Sequence, residues 1–141
     1  MQRAADTRPK WLSGLYGRQH CVQEYIHPTL GSLDNGELPC VLTEDILSAA
    51  KIGLSGAPVA AIPCLGTLPS PAVLARAAES PLVIWWLDPD AAGQRMALKG
   101  NSRLAAIGLD SRIMLTHPSD QDPKYLDAAT IRRRVSSLTR H

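Results

Sequence analysis

The chain has 141 residues, 45% of them hydrophobic, with no phenylalanine and a formal net charge of +2. That length suits one domain with one core, and so small a charge excludes a broad electrostatic footprint, leaving any nucleic-acid contact local. Three scattered cysteines (Cys21, Cys40, Cys64) argue against a disulfide framework and a zinc ribbon, and the absence of a signal-peptide core or of an apolar run of about 18 residues argues against export and membrane insertion; the expected setting is reducing and cytoplasmic.

Residues 1–36 hold Arg3, Arg8, Lys10 and Arg18 among scattered glycine and proline, with weak periodicity. They read as a basic, weakly regular segment that ends in the turn-rich LGSLDNGELP (30–39). The domain proper is expected over 37–141. PCVLT (39–43) reads as a first strand. EDILSAAKIGL (44–54) reads as a helix opened by acids and closed near Gly53, with Ile46, Leu47, Ala50 and Leu54 at helical spacing. APVAAIPCLG (57–66) is a second strand stopped by Gly66. PSPAVLARAAES (69–80) is a second helix with proline at its start. PLVIWWLD (81–88) is a third strand, with Trp85 and Trp86 expected to pack on opposite faces. AAGQRMALKGNSRLAAIG (91–108) is a long helix weakened at Gly100-Asn101. DSRIMLTHP (110–118) is a fourth strand, and AATIRRRVSSL (128–138) a last helix.

Strands alternating with helices of about ten residues specify an α/β fold: a compact, Rossmann-like, four-stranded parallel sheet with helices on both faces. In such sheets ligands bind outside the carboxyl ends of the strands. Acids stand there in number: Glu44 after strand one, Asp88 and Asp90 after strand three, Asp120 and Asp122 after strand four. Clustered carboxylates repel one another unless a cation sits among them. Hard oxygen donors suit magnesium, which keeps several waters and meets phosphate, and they do not suit zinc. Each acid taken singly also has a structural use. Asp90 can cap the third helix, Glu44 and Asp45 can complement the dipole of the first, and Asp122 can shape a turn before Pro123. Arg95 and Lys99 share a helix face, continued by Arg103, and could track phosphates; Arg132, Arg133 and Arg134 cannot all share one face. His117 is either a turn residue or a neighbour of the acids.

The sequences TEDILSAAKIG, LDPDAAGQ and DPK together resemble the Toprim domain shared by primases, topoisomerases and some nucleases. That family carries a glutamate after the first strand, Asp-x-Asp after the third and a further acid after the fourth. The Asp-x-Asp-x-Ala-Gly form resembles the bacterial and phage primase type, including the primase half of primase-helicases. The chain departs from the pattern at Asp45, Ser48 and Lys124, where family members commonly have glycine, an acid and further acids. RPKWLSG (8–14) is similar to a stretch of the basic primase polymerase core.

The resemblance implies Mg2+-dependent nucleotidyl transfer on a DNA template, that is, RNA primer synthesis, with Mn2+ as the alternative metal. It implies that Glu44, Asp88 and Asp90 are catalytic, that these three and Asp122 hold metal, and that Lys10, Gly66, Arg95, Lys99 and Lys124 contact nucleotide or nucleic acid. Implied partners are single-stranded DNA template, nucleoside triphosphates, and a replicative helicase or other primase domain. A Toprim metal-dependent nuclease and a non-catalytic nucleic-acid or replisome-binding module stay open beside this reading.

Overall fold

The computed structural model describes residues 22–30, 37–65 and 68–139. Four parallel strands form one sheet: β1 (Cys40–Thr43), β2 (Ala60–Pro63), β3 (Val83–Trp85) and β4 (Ser111–Ile113). They lie in the order β2-β1-β3-β4, with Cys40 beside both Ala60 and Val83, and Val83 beside Ser111. The chain therefore runs outward from β1 to β2 and then returns to β1's other side as β3. The gap between the carboxyl ends of β1 and β3 is the topological switch point, where open α/β sheets bind ligands.

Helices cover both faces. On one, α1 (Ile46–Gly53) and α4 (Ala128–Thr139) bring Ala49, Ile52, Ile131 and Val135 against Val41, Ala61, Ile84 and Trp86. On the other, α2 (Pro71–Ala77) and α3 (Ala91–Ala106) bring Val73, Ala77, Ala97 and Leu104 against Cys40, Leu42, Ile62 and Trp85. Adjacent strand residues thus feed opposite cores, and Trp85 and Trp86 are both buried, on opposite faces as expected. The α/β architecture read from the alternation of elements is the observed one.

Three local expectations change. β2, β3 and β4 are shorter than their apolar runs; β4 pairs over only three residues, the Met114 N–H donates a last bond to the Trp85 carbonyl (2.9 Å), and the chain then passes into a turn. That turn is closed by His117, whose backbone N–H donates to Asp120 Oδ2 (2.7 Å) and whose ring pairs with Ser119. His117 is therefore a turn histidine.

α3 is not weakened at Gly100-Asn101; it runs unbroken. A Cβ at Gly100 would lie 2.2 Å from the Trp85 ring, so glycine is what lets the helix close on the tryptophan. Asn101 then accepts from the Ser111 hydroxyl (2.6 Å), which accepts from Trp85 Nε1 (2.8 Å), satisfying the buried indole.

α1 turns the other way from its apolar spacing. Ser48, Ala49, Ile52 and Gly53 are buried, whereas Ile46, Leu47 and Leu54 are exposed. The inward face is small at Ser48, Ala49 and Gly53, where a Cβ on Gly53 would lie 2.1 Å from the Tyr25 carbonyl oxygen, and Ile52 is its one large side chain. The exposed leucines are left on an outer groove of about 530 Å3, lined by Leu47, Ala50, Leu54, Lys124, Tyr125 and Ala128, among others.

Part of the N-terminal segment is built into the sheet's margin. Tyr25 forms an antiparallel bridge with Ala61, exchanging hydrogen bonds of 2.9 and 3.0 Å. Glu24 receives two hydrogen bonds from Arg76 of α2, at 2.8 and 2.9 Å. This strap covers the outer edge of β2, which would otherwise offer unpaired backbone groups to another chain.

Candidate active site

Glu44 and Asp45 follow β1 directly, and Asp88 stands three residues beyond β3. The two ends are joined across the switch point: the Asp88 backbone N–H donates to Glu44 Oε1 at 3.0 Å. Glu44 therefore holds the first turn after β3 in place. The next turn of chain is equally tight. A Cβ on Gly93 would meet the Asp88 carbonyl oxygen at 2.2 Å and Glu44 Oε1 at 2.6 Å, so the glycine of DPDAAG is required by the packing of α3 onto the acids. Gln94 adds a brace, its Nε2 donating to the Asp88 carbonyl (3.3 Å) and to Thr116 Oγ1 (3.0 Å).

The acids have different duties. Asp90 caps α3, its Oδ1 accepting from the Gly93 N–H at 2.7 Å. Asp45 caps α1 in the same way, accepting from Ser48 N–H at 2.8 Å. Lys124, in the short 3₁₀ turn Pro123–Tyr125, places its Nζ 3.1 Å from Asp45 Oδ2 and 3.7 Å from Asp122 Oδ2. Asp120 belongs to the His117 turn and also meets Arg134 at 3.5 Å, away from this duty.

Asp88 is the exception. Its Oδ1 is buried with no hydrogen-bond partner among the described residues. Burial, then the charges of Glu44, Asp122 and Asp45, push its carboxyl up to about 6. Burial likewise raises Glu44, which the Asp88 N–H partly offsets and Asp90, Asp122 and Asp45 reinforce. Asp45 goes the other way: burial would raise it, but the Ser48 N–H and the Lys124 ammonium outweigh that and hold it below the usual range. A buried, unpartnered carboxylate oxygen among other acids is the environment a hard cation relieves. Among the described residues no three His, Cys, Asp or Glu side chains form a preassembled cage. Magnesium does not need one, since it commonly uses one or two carboxylates and completes its shell with water and phosphate. The donors present fit that ion.

Of the other candidates, Arg95 and Lys99 lie exposed along α3, as does Arg103. Arg132 donates to the Ser55 carbonyl at 2.7 Å and Arg134 to Asp120, leaving Arg133 exposed between them. Lys10 and Gly66 lie outside the described residues. Leu65, just before Gly66, takes φ 62°, a left-handed conformation costly for a side-chain-bearing residue; it puts backbone strain at the same carboxyl edge. Sequence reasoning assigned no role to Gly93, Gln94 or Thr116. The Ala-Gly following the paired acids was the available signal for Gly93; Gln94 and Thr116 carried none, being 22 residues apart. Cys40 and Cys64 are buried free cysteines, and desolvation pushes each thiol up to about 12, away from the thiolate form.

The sequence pattern of a family described as Toprim-like matches residues 43–126. No curated protein matches the chain. Among solved structures, the chain is similar to the primase fragment of the bacteriophage T7 primase-helicase protein, at 16% identity and a TM-score of 0.49, over 74% of this chain and 44% of that one. The chain thus spans less than half the length of that fragment. No helix among the described residues is long and apolar enough to cross a membrane.

Proposed function

The chain belongs to the Toprim-like family, and from that premise we propose that it carries out metal-dependent nucleotidyl transfer on a DNA template, as the Toprim part of a primase. The observation that carries the reading is Asp88: a half-buried carboxyl with an unpartnered oxygen, at the switch point, pressed by neighbouring acids. The DPDAAG form supports the primase type within the family by resemblance.

Asp88 and Glu44 would hold Mg2+, with Asp90 and Asp122 able to join directly or through water. When bound, the ion would lower the pKa of an attacking hydroxyl and offset charge on the phosphates. The chain's own residues do the rest by positioning. Glu44 fixes the Asp88 backbone through its hydrogen bond, and Gln94 holds the following carbonyl. Asp90 is oriented by its cap, one carboxylate oxygen accepting from the Gly93 N–H. Arg95 and Lys99 on α3 would meet the phosphates of template or triphosphate, and Lys10 and Gly66 would approach them from their own segments. A replicative helicase or further primase domain would supply the remaining template grip.

The test is Mg2+-dependent dinucleotide synthesis on single-stranded DNA, by the full chain alone and with a supplied helicase partner, for wild type and Asp88→Asn. Synthesis that disappears in Asp88→Asn while the circular dichroism spectrum is unchanged is the expected result. Equal synthesis by both proteins would sink the proposal. Cleavage of labelled DNA without nucleotides would assign the same carboxylates to a nuclease, and DNA binding with no phosphoryl chemistry under Mg2+ or Mn2+ would make the chain a binding module.

A further inference from the structure

Lys124 is held in the acidic site by the backbone around it. Pro123 is buried, the Pro123–Tyr125 turn packs on α1, and the lysine side chain keeps only 24% of its exposure. Its ammonium bridges two carboxylates from different elements, Asp45 at the start of α1 and Asp122 before the turn. Asp45 has both oxygens engaged, Oδ2 with Lys124 and Oδ1 with the Ser48 N–H. The lysine's ion pairs go to Asp45 and Asp122 and not to Asp88, which keeps an oxygen unpartnered among the described residues.

Two-metal phosphoryl-transfer sites hold their ions roughly 3.5–4 Å apart among shared carboxylates. Here a covalently held cation already sits between two of the acids, Asp45 and Asp122. The first-strand and third-strand acids, Glu44 and Asp88, are left for an exchangeable ion. We propose that Lys124 stands in the place of a second metal, so that this site takes a single divalent ion and the lysine supplies the other positive charge. The inference rests on the metal-site reading above and narrows it. An ammonium can neutralise a phosphate oxygen and donate hydrogen bonds to it, but it cannot ligate and activate a hydroxyl as a metal does. The single exchangeable ion, next to Asp88, would therefore carry all of the activation.

The experiment counts bound ions in the full chain. Mn2+ is titrated with the free ion read by electron paramagnetic resonance, and Mg2+ by calorimetry, for wild type, Lys124→Met, Lys124→Gln, Lys124→Arg and Asp88→Asn. Wild type should bind one ion. Lys124→Met and Lys124→Gln should gain a second, doubling the stoichiometry, and Lys124→Arg should keep one because it keeps the charge. Two ions in wild type, a count that needs no variant to fold, would overturn the inference and leave the metal site standing. A single site of unchanged affinity in both neutral variants would do the same. Absence of binding in wild type, or binding unaffected by Asp88→Asn, would remove the metal-site reading and this inference with it.

Discussion

Burial and the nearby charges of Glu44, Asp122 and Asp45 move the Asp88 carboxyl from 3.8 to about 6. A carboxyl whose folded pKa lies above its unfolded value holds its proton more tightly when folded. Its contribution to stability is therefore complete in acid and lost as pH rises from about 4 through 6. At pH 7 Asp88 weakens the metal-free protein, a cost consistent with a group placed for binding. Asp88→Asn should raise stability at pH 7 by about 1 kcal/mol, after allowing for solvent screening of a half-exposed group, and should leave stability at pH 4 nearly unchanged. Thermal denaturation in chelator at the two pH values checks this; equal Tm values at pH 7 would mean the carboxyl is comfortable there. Gly93 belongs to the same scale. Its missing side chain is the condition for Glu44 and Asp88 to approach, a requirement that the Ala-Gly of the motif signals and the packing of α3 explains.

At the scale of one element, α1 shows why spacing alone does not orient a helix. Its apolar residues at Ile46, Leu47, Ala50 and Leu54 satisfy helical periodicity, yet the face that meets the sheet is Ser48, Ala49, Ile52 and Gly53. Ile52→Ala should cost about 2–5 kcal/mol, as expected for a fully buried aliphatic side chain, while Leu47→Ser should stay within about 0.5 kcal/mol, since Leu47 is 67% exposed. Urea denaturation of the two variants distinguishes the faces. A large loss in Leu47→Ser would return the helix to the orientation suggested by its pattern. α3 teaches the same point in reverse: Gly100 looks like a helix breaker in sequence and is a contact surface for Trp85 in the fold.

At the scale of the whole molecule, the sheet order β2-β1-β3-β4 brings the residues after β1 and β3 together and leaves β2 at one margin. The 22–30 strap closes that margin through Tyr25 and the Glu24–Arg76 pair. Arg76 is buried, so removing its partner strands a charge. Glu24→Ala should cost about 2 kcal/mol, less than the ~3–5 kcal/mol of a fully buried pair because Glu24 keeps 23% exposure. Light scattering should show concentration-dependent association in the same variant, as the β2 edge opens. A Glu24→Ala protein as stable and as monodisperse as wild type would mean the strap is ornamental.

The α/β class, the parallel sheet and the acids at its carboxyl edge are legible before folding, because alternation of apolar strands with helices and the Asp-x-Asp-x-Ala-Gly form are local patterns that survive in one dimension. The duty of each acid emerges with the fold. Asp45 and Asp90 become caps, Asp88 keeps a buried oxygen unpartnered, and Lys124, 79 residues after Asp45, arrives as its counter-ion. Those roles depend on distances between residues far apart in the chain and on the dielectric around them, and both come into being only when the helices close over the sheet.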